Sequence, residues 1–202
     1  MKAVMVKDNP TANRYEVWVA DEMAELAYQR KGNQIVFVHT RVPPSLEGRG
    51  LGSALARRAL DDARAEGLRL TPLCPFVRGY LINHPDYQDD PGFYQILARF
   101  PEAVQEMAVL ARGLIIAMLP EVVEMPWVDE NILGFGDKAG KYTDHFCWLT
   151  LIPDGLTIHF RADLFLPDPS GLLQPYGFVS IQNAKDLRNP ALHDLLTAAK
   201  EG

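Results

Sequence analysis

Leu46-Glu47-Gly48-Arg49-Gly50-Leu51-Gly52-Ser53 lies between a β-type run and an Ala/Leu/Arg-rich helical run. It reads as a loop built to hold a pyrophosphate. Gly48, Gly50 and Gly52 let the backbone approach a ligand closely and take φ > 0 without strain. The helix expected from Leu51 to about Glu66 aims its unpaired N–H groups and positive dipole end into that loop, and Arg49 adds a fork of donors suited to phosphate oxygens. Taken alone, the loop leaves a plainer alternative open, with Gly48 in an ordinary turn and Gly50 as a helix N-cap.

Upstream, Arg14–Ala20 alternates with period two, Asp21-Glu22 marks a turn, Met23–Lys31 follows, and Gly32-Asn33 marks a second turn before Gln34–Val42, the strongest strand pattern in the chain. This is an antiparallel meander. Pro43-Pro44 ends it, because proline cannot continue a ladder. In the helix, Leu51, Leu55, Ala59 and Ala63 share one face, and Gly67 stands where a C′ residue belongs. Leu68–Cys74 then reads as a strand reached through a helix, hence parallel to the strand before the loop, and Phe76–Asn83 as a short helix.

Gln88-Asp-Asp-Pro-Gly92 is the clearest boundary, so two domains are expected, 1–90 and 91–202. The second half reads as α+β: Phe93–Phe100, an apolar helix over Pro101–Leu119 with Val104, Ala108, Ala111, Ile115 and Leu119 as its stripe, strands near Val122–Trp127, Asn131–Phe135, Asp144–Ile152, Leu156–Phe160 and Ser180–Gln182, and a final helix over Pro190–Lys200. Pro153-Asp154-Gly155 is the turn between two of these strands. The fold class is therefore mixed α/β and α+β.

The formal net charge of −6 is unevenly placed, with 12 Lys/Arg against 12 Asp/Glu in residues 1–90 and 8 against 14 in residues 91–202. That distribution argues against a nucleic-acid partner. No apolar run is long enough to span a bilayer and Met1-Lys2-Ala3-Val4 lacks a signal-peptide core, so no membrane partner and a cytoplasmic location are expected. Cys74 and Cys147 have no partner at CxxC spacing, which indicates neither a disulfide scaffold nor a zinc knuckle.

The motifs FVHT-x-VPP-x-LEGRGLGSALA, PLCPFV and YLINHPDY, in this order over about residues 10–90, resemble the GNAT superfamily of acetyl-CoA-dependent N-acetyltransferases, and more narrowly its small YjdJ-type branch. The resemblance implies a minimal GNAT fold: an antiparallel meander, a phosphate-loop helix and a splayed parallel strand. It further implies acetyl-CoA as cofactor, with its pyrophosphate on the backbone of Arg49, Gly50, Leu51, Gly52 and Ser53 and its pantetheine arm paired with the strand at Thr40 and Val42. Glu47 departs from the family's usual Gln or Arg and is expected to be a bystander. A small-molecule amine or a lysine-bearing peptide is the implied acceptor. The minimal branch lacks the helices that usually wall the acceptor site, so the second half is expected to cover or extend it.

Acetyl transfer to an amine needs a base, an oxyanion donor and a proton for the leaving thiolate. The resemblance places His39 and Cys74 near the thioester, His39 as general base and Cys74 as nucleophile or acid, with Tyr80 as the thiolate's proton donor. The plain alternatives are a histidine sharing a sheet face with Ile35, Phe37 and Arg41, a buried hydrophobic cysteine and a packed rim tyrosine. A non-catalytic acyl-CoA-binding or protein-interaction module is the competing function.

The Pro101–Leu119 helix, Glu124, Trp127, His159-Phe160, LPDPSGLL and NPALHDLL are similar to a YdhG-like domain, which brings a fold and no chemistry. His145, Cys147, His159 and Asp163 offer donor types on alternating strand positions, but a mixture of faces is the commoner outcome, so no metal is expected. Trp127, Phe135, Trp148 and Phe160 are expected in the core.

Overall fold

Alternation in β2 (Arg14–Val19), β3 (Glu22–Lys31) and β4 (Gln34–Arg41) builds two hairpins with two-residue loops. Ala20 (φ 51) and Gly32 (φ 57) supply the positive φ that such tight connections demand. The computed structural model describes residues 5–202 and divides into two compact units, one ending at Asp89 and the other running Asp90–Gly202. Its described residues form a mixed α/β structure with two five-stranded sheets and five α-helices.

The first sheet has the order β1-β2-β3-β4-β5. β1 (Lys7–Asn9) is an element that the sequence did not announce, since Asp8 and Asn9 are poor strand formers. Side chains hold it in place: Asn9 Nδ2 donates to Glu16 (2.7 Å) and the Tyr28 hydroxyl donates to Asp8 (3.0 Å). β5 (Arg69–Pro72) is shorter than expected and pairs parallel with β4 after a crossover through α1 (Leu51–Ala65). Leu51, Leu55, Ala59 and Ala63 are all buried, and α1 packs on β2, β3 and β4.

The two ends of α1 follow from local chemistry. At the C-terminus Gly67 (φ 66) takes the left-handed position while Leu68 N–H donates to the Ala63 carbonyl (2.9 Å) and Gly67 N–H to Arg64 (3.1 Å), a Schellman closure. At the N-terminus Gly50 (φ 75) is the N-cap and has no side chain to satisfy the first N–H groups. α2 (Pro75–Asn83) follows β5, with Cys74 as N-cap and Pro75 in the first turn.

In the second unit Asp90 caps α3 (Pro91–Leu97) by accepting from Phe93 N–H (3.1 Å). α4 (Glu102–Met118) buries Val104, Ala108, Ala111 and Ile115, while Leu119 is its C-cap. The sheet is antiparallel throughout, in the order β10-β9-β8-β7-β6, from β6 (Val123–Trp127), β7 (Ile132–Gly136), β8 (His145–Ile152), β9 (Gly155–Phe160) and β10 (Phe178–Ile181). α5 (Pro190–Glu201) ends the chain.

Phe135, Cys147, Leu149, Ile158 and Phe160 point into the core of this unit. Trp148 and His159 are register partners on the other face, stacked with Phe178, and Trp127 and Tyr142 extend the row of rings. A bulge between Phe135 and Gly136 pairs Gly136 with His145, so His145 joins the Trp148 face while Cys147 remains on the core face. Asp163 is engaged by Arg161. Among the described residues no group of three or more His, Cys, Asp or Glu is placed to hold a metal ion, and no helix is long and apolar enough to cross a membrane.

Arg112 on α4 meets Glu124 on β6 in a bidentate pair (2.6 and 2.8 Å), both side chains buried, with the guanidinium over the Phe93 ring at 4.8 Å. Removing Glu124 takes two buried, charge-assisted hydrogen bonds from the Arg112 guanidinium. Glu124→Ala is expected to destabilise the second unit by about 3–5 kcal/mol, read as a lowered urea midpoint.

Candidate functional site

The parallel ladder between β4 and β5 ends at Phe37 and Pro72. Cys74 N–H closes it by donating to the Phe37 carbonyl (2.9 Å). Beyond that point β4 continues to Arg41 with no β5 residue beside it, so over Val38–Arg41 its edge toward β5 is free of a strand partner among the described residues.

A bulge shapes the same segment. Ala27 pairs with His39 and Tyr28 with Phe37, which leaves Val38 as the extra residue. The bulge shifts the alternation by one, so Phe37 and Thr40 share the face of Leu26 and Tyr28, under α1, whereas His39 and Arg41 face away with Ala27 and Glu25. The single-face reading of Ile35, Phe37, His39 and Arg41 is corrected here: the first two lie on the α1 side and the last two on the other.

Between the free β4 edge and the start of α1 lies a cleft of about 650 Å³, lined by Thr40, Arg41, Val42, Leu46–Gly48, Gly50–Ser53 and Phe76. The N–H groups at the first turn of α1 have no intrahelical partner and point toward it, which makes an anion site of the helix end. Of the residues expected at the cofactor, Thr40, Val42, Gly50, Leu51, Gly52 and Ser53 line the cleft. Arg49 is exposed and lies outside the lining, whereas Glu47 is part of it.

Phe76 is the lining residue that sequence reasoning missed. Its ring is 44% exposed although it is large and apolar, and a Cβ on Gly52 would come within 2.8 Å of the ring tip. Gly52 is therefore needed for close approach rather than for φ. The available signal was an aromatic residue directly after Cys74-Pro75, at the mouth of the strand-to-helix turn.

The three residues expected to carry chemistry are placed in different surroundings. Cys74 is buried and is not itself among the residues that line the cleft; its Sγ lies 3.3 Å from Oγ1 of Thr40, which is. His39 is more than half exposed on the opposite face, with Nε2 3.6 Å from Glu25 Oε1. Tyr80 follows Phe76 by one helical turn, outside the lining; its ring stacks on His84 at 3.8 Å, and its buried hydroxyl has no hydrogen-bond partner among the described residues. His84 Nδ1 lies 2.8 Å from the Tyr80 carbonyl, which accounts for that histidine locally.

On the His39 face two buried carboxylates sit beneath arginines. Glu25 pairs with Arg14 (3.0 Å) and Arg41 (3.0 Å). Glu16 receives Arg14 (2.7 Å), the Trp18 indole N–H (3.0 Å) and Asn9 (2.7 Å). The Arg14 guanidinium, aided by the Trp18 donor, holds the Glu16 carboxyl below the usual carboxylate range.

Comparison with known proteins adds one consistent finding. Residues 14–90 match the model of the GCN5-related N-acetyl-transferase family. The chain is also 35% identical over 65 residues to the protein NATD1 of Gallus gallus and of Mus musculus, a stretch that covers 32% of this chain and 59% of each relative. The human protein NATD1 is likewise 35% identical over 65 residues, 58% of its length. The chain thus spans less than two thirds of these relatives. The family match begins at the first residue of β2 and ends one residue beyond the first unit, so the free β4 edge, the glycine loop and Cys74 all fall inside the segment similar to GCN5-related N-acetyl-transferases.

Proposed function

We propose that the first unit is an acetyl-CoA-dependent N-acetyltransferase of the small YjdJ type, transferring an acetyl group to an amine, and that the second unit is a YdhG-like α+β domain. The observation that carries the reading is the cleft itself, where an unpaired strand edge runs into a helix N-terminus with no side-chain cap, with Cys74 behind the lining residue Thr40. An extended pantetheine arm offers amide groups to such an edge, as an added strand does, and a pyrophosphate suits the helix end. At about 650 Å³ the cleft is of the size that holds a cofactor.

When bound, acetyl-CoA supplies an acyl group activated as a thioester. The chain must then take one proton from the incoming ammonium and give one to the leaving thiolate. We assign the first task to His39, which stands on the open face with Glu25 beside its Nε2, and the second to the Cys74 thiol, held against Thr40 Oγ1. Tyr80 is assigned a packing role beside His84.

Isothermal titration of the full chain with acetyl-CoA tests the donor site. The wild type is expected to bind, and Gly52→Val to bind at least tenfold more weakly because its side chain drives the Phe76 ring into the cleft; equal affinity contradicts the placement. Turnover, read as free thiol released in the presence of an amine, tests the chemistry. Cys74→Ala and His39→Ala are each expected to lower kcat by about a hundredfold or more with acetyl-CoA affinity within twofold of wild type, and Tyr80→Phe to leave kcat within threefold. Undiminished turnover in both of the first two variants removes them from the mechanism.

A further inference from the structure

The sheet face that bears His39 is organised in rungs. Register sets His39, Ala27 and Arg14 in one rung, Arg41, Glu25 and Glu16 in the next, and Met23 with Trp18 in the third. The two carboxylates of the middle rung are paired, Glu25 with Arg41 of the same rung and both with Arg14 of the first.

The third rung is different. It opens into a groove of about 410 Å³, with Trp18, Met23, Pro43 and Pro44 as walls and Asp21 and Glu22 at the rim. Arg41 and Val42 line both this groove and the glycine-loop cleft, so the two hollows adjoin across the end of β4. The Trp18 indole is 56% exposed, yet its Nε1–H is fixed on Glu16, so the ring stands in water in a set position. Glu22 accepts only from the Ser45 hydroxyl (2.6 Å), and neither it nor Asp21 has a cationic partner among the described residues. Two carboxylates beside a fixed tryptophan, in a groove whose one lining guanidinium, Arg41, is paired with Glu25, suit an ammonium by charge and through the ring face.

From the Ala27 position to the Met23 position is four residues of one strand, about 14 Å at about 3.4 Å per residue. That is close to the reach of an extended triamine. We propose that the acceptor is an aliphatic polyamine, its reacting amine at the His39 end of the face and its distal ammonium in the Trp18–Asp21–Glu22 groove. The inference rests on the acetyltransferase reading of the cleft. The transfer forms one amide C–N bond, breaks the thioester C–S bond and moves the amine proton to the CoA thiol.

Steady-state acetylation of spermidine, butylamine and a lysine-containing peptide by the full chain tests it. Spermidine is expected to show at least tenfold higher kcat/KM than either alternative, the gain lying in KM. Trp18→Ala and, separately, Asp21→Asn are expected to bring the spermidine-to-butylamine ratio toward unity with the KM for acetyl-CoA unchanged. Equal rates with spermidine and butylamine, a lysine peptide as the best acceptor, or a ratio unaffected by both variants overturns the inference while the acetyltransferase reading stands. Transfer to none of the three, with no acetyl-CoA binding, overturns both.

Discussion

Where β5 stops and β4 goes on, the first sheet leaves a stretch of strand edge without a partner among the described residues. Pairing ends at Phe37 and Pro72 because Cys74 turns out of the strand, its N–H spent on the Phe37 carbonyl and its own residue already capping α2. Pro72 and Pro75 make the departure irreversible, since neither can donate to a ladder. A strand edge left open in this way carries unpaired polar groups. The edge faces a helix end with the same deficit, and the proposed ligand, elongated and carrying amide and phosphate groups, would satisfy both.

The bulge at Val38 makes that edge usable from two sides. Without the extra residue His39 and Phe37 would share a face and His39 would point toward the core beneath α1. With it, Thr40 turns inward to meet Cys74, while His39 and Arg41 turn outward to Glu25. In the proposed mechanism strand β4 thereby separates the donor side from the acceptor side by one backbone thickness. The buried Glu16 and Glu25, each held by arginine, keep the outer face polar and ordered without a covering helix.

Much of this was legible in the residues. Gly32, Gly50 and Gly67 mark positions where the backbone takes a left-handed conformation, and the hairpin, the helix start and the helix end fall where they stand. The α1 stripe and the apolar stripe of α4 follow from periodicity alone. What local pattern did not reveal is what distant packing decides. β1 exists through Asn9–Glu16 and Asp8–Tyr28 contacts between strands. Both bulges depend on partner strands, so the faces of His39 and His145 were not set by their own neighbours in sequence. Phe76 was overlooked because an aromatic in a short helix ordinarily signals core, and only the bare Cα of Gly52 opposite shows that the ring belongs to the cleft wall.

Amide hydrogen exchange of the full chain with and without acetyl-CoA tests the central claim most directly, because it reads the free edge and the helix end as separate groups of amides. The account predicts new protection confined to Val38–Val42 and to Leu51–Ser53, with the second unit unchanged. Protection that appears elsewhere while both segments exchange as before would contradict it.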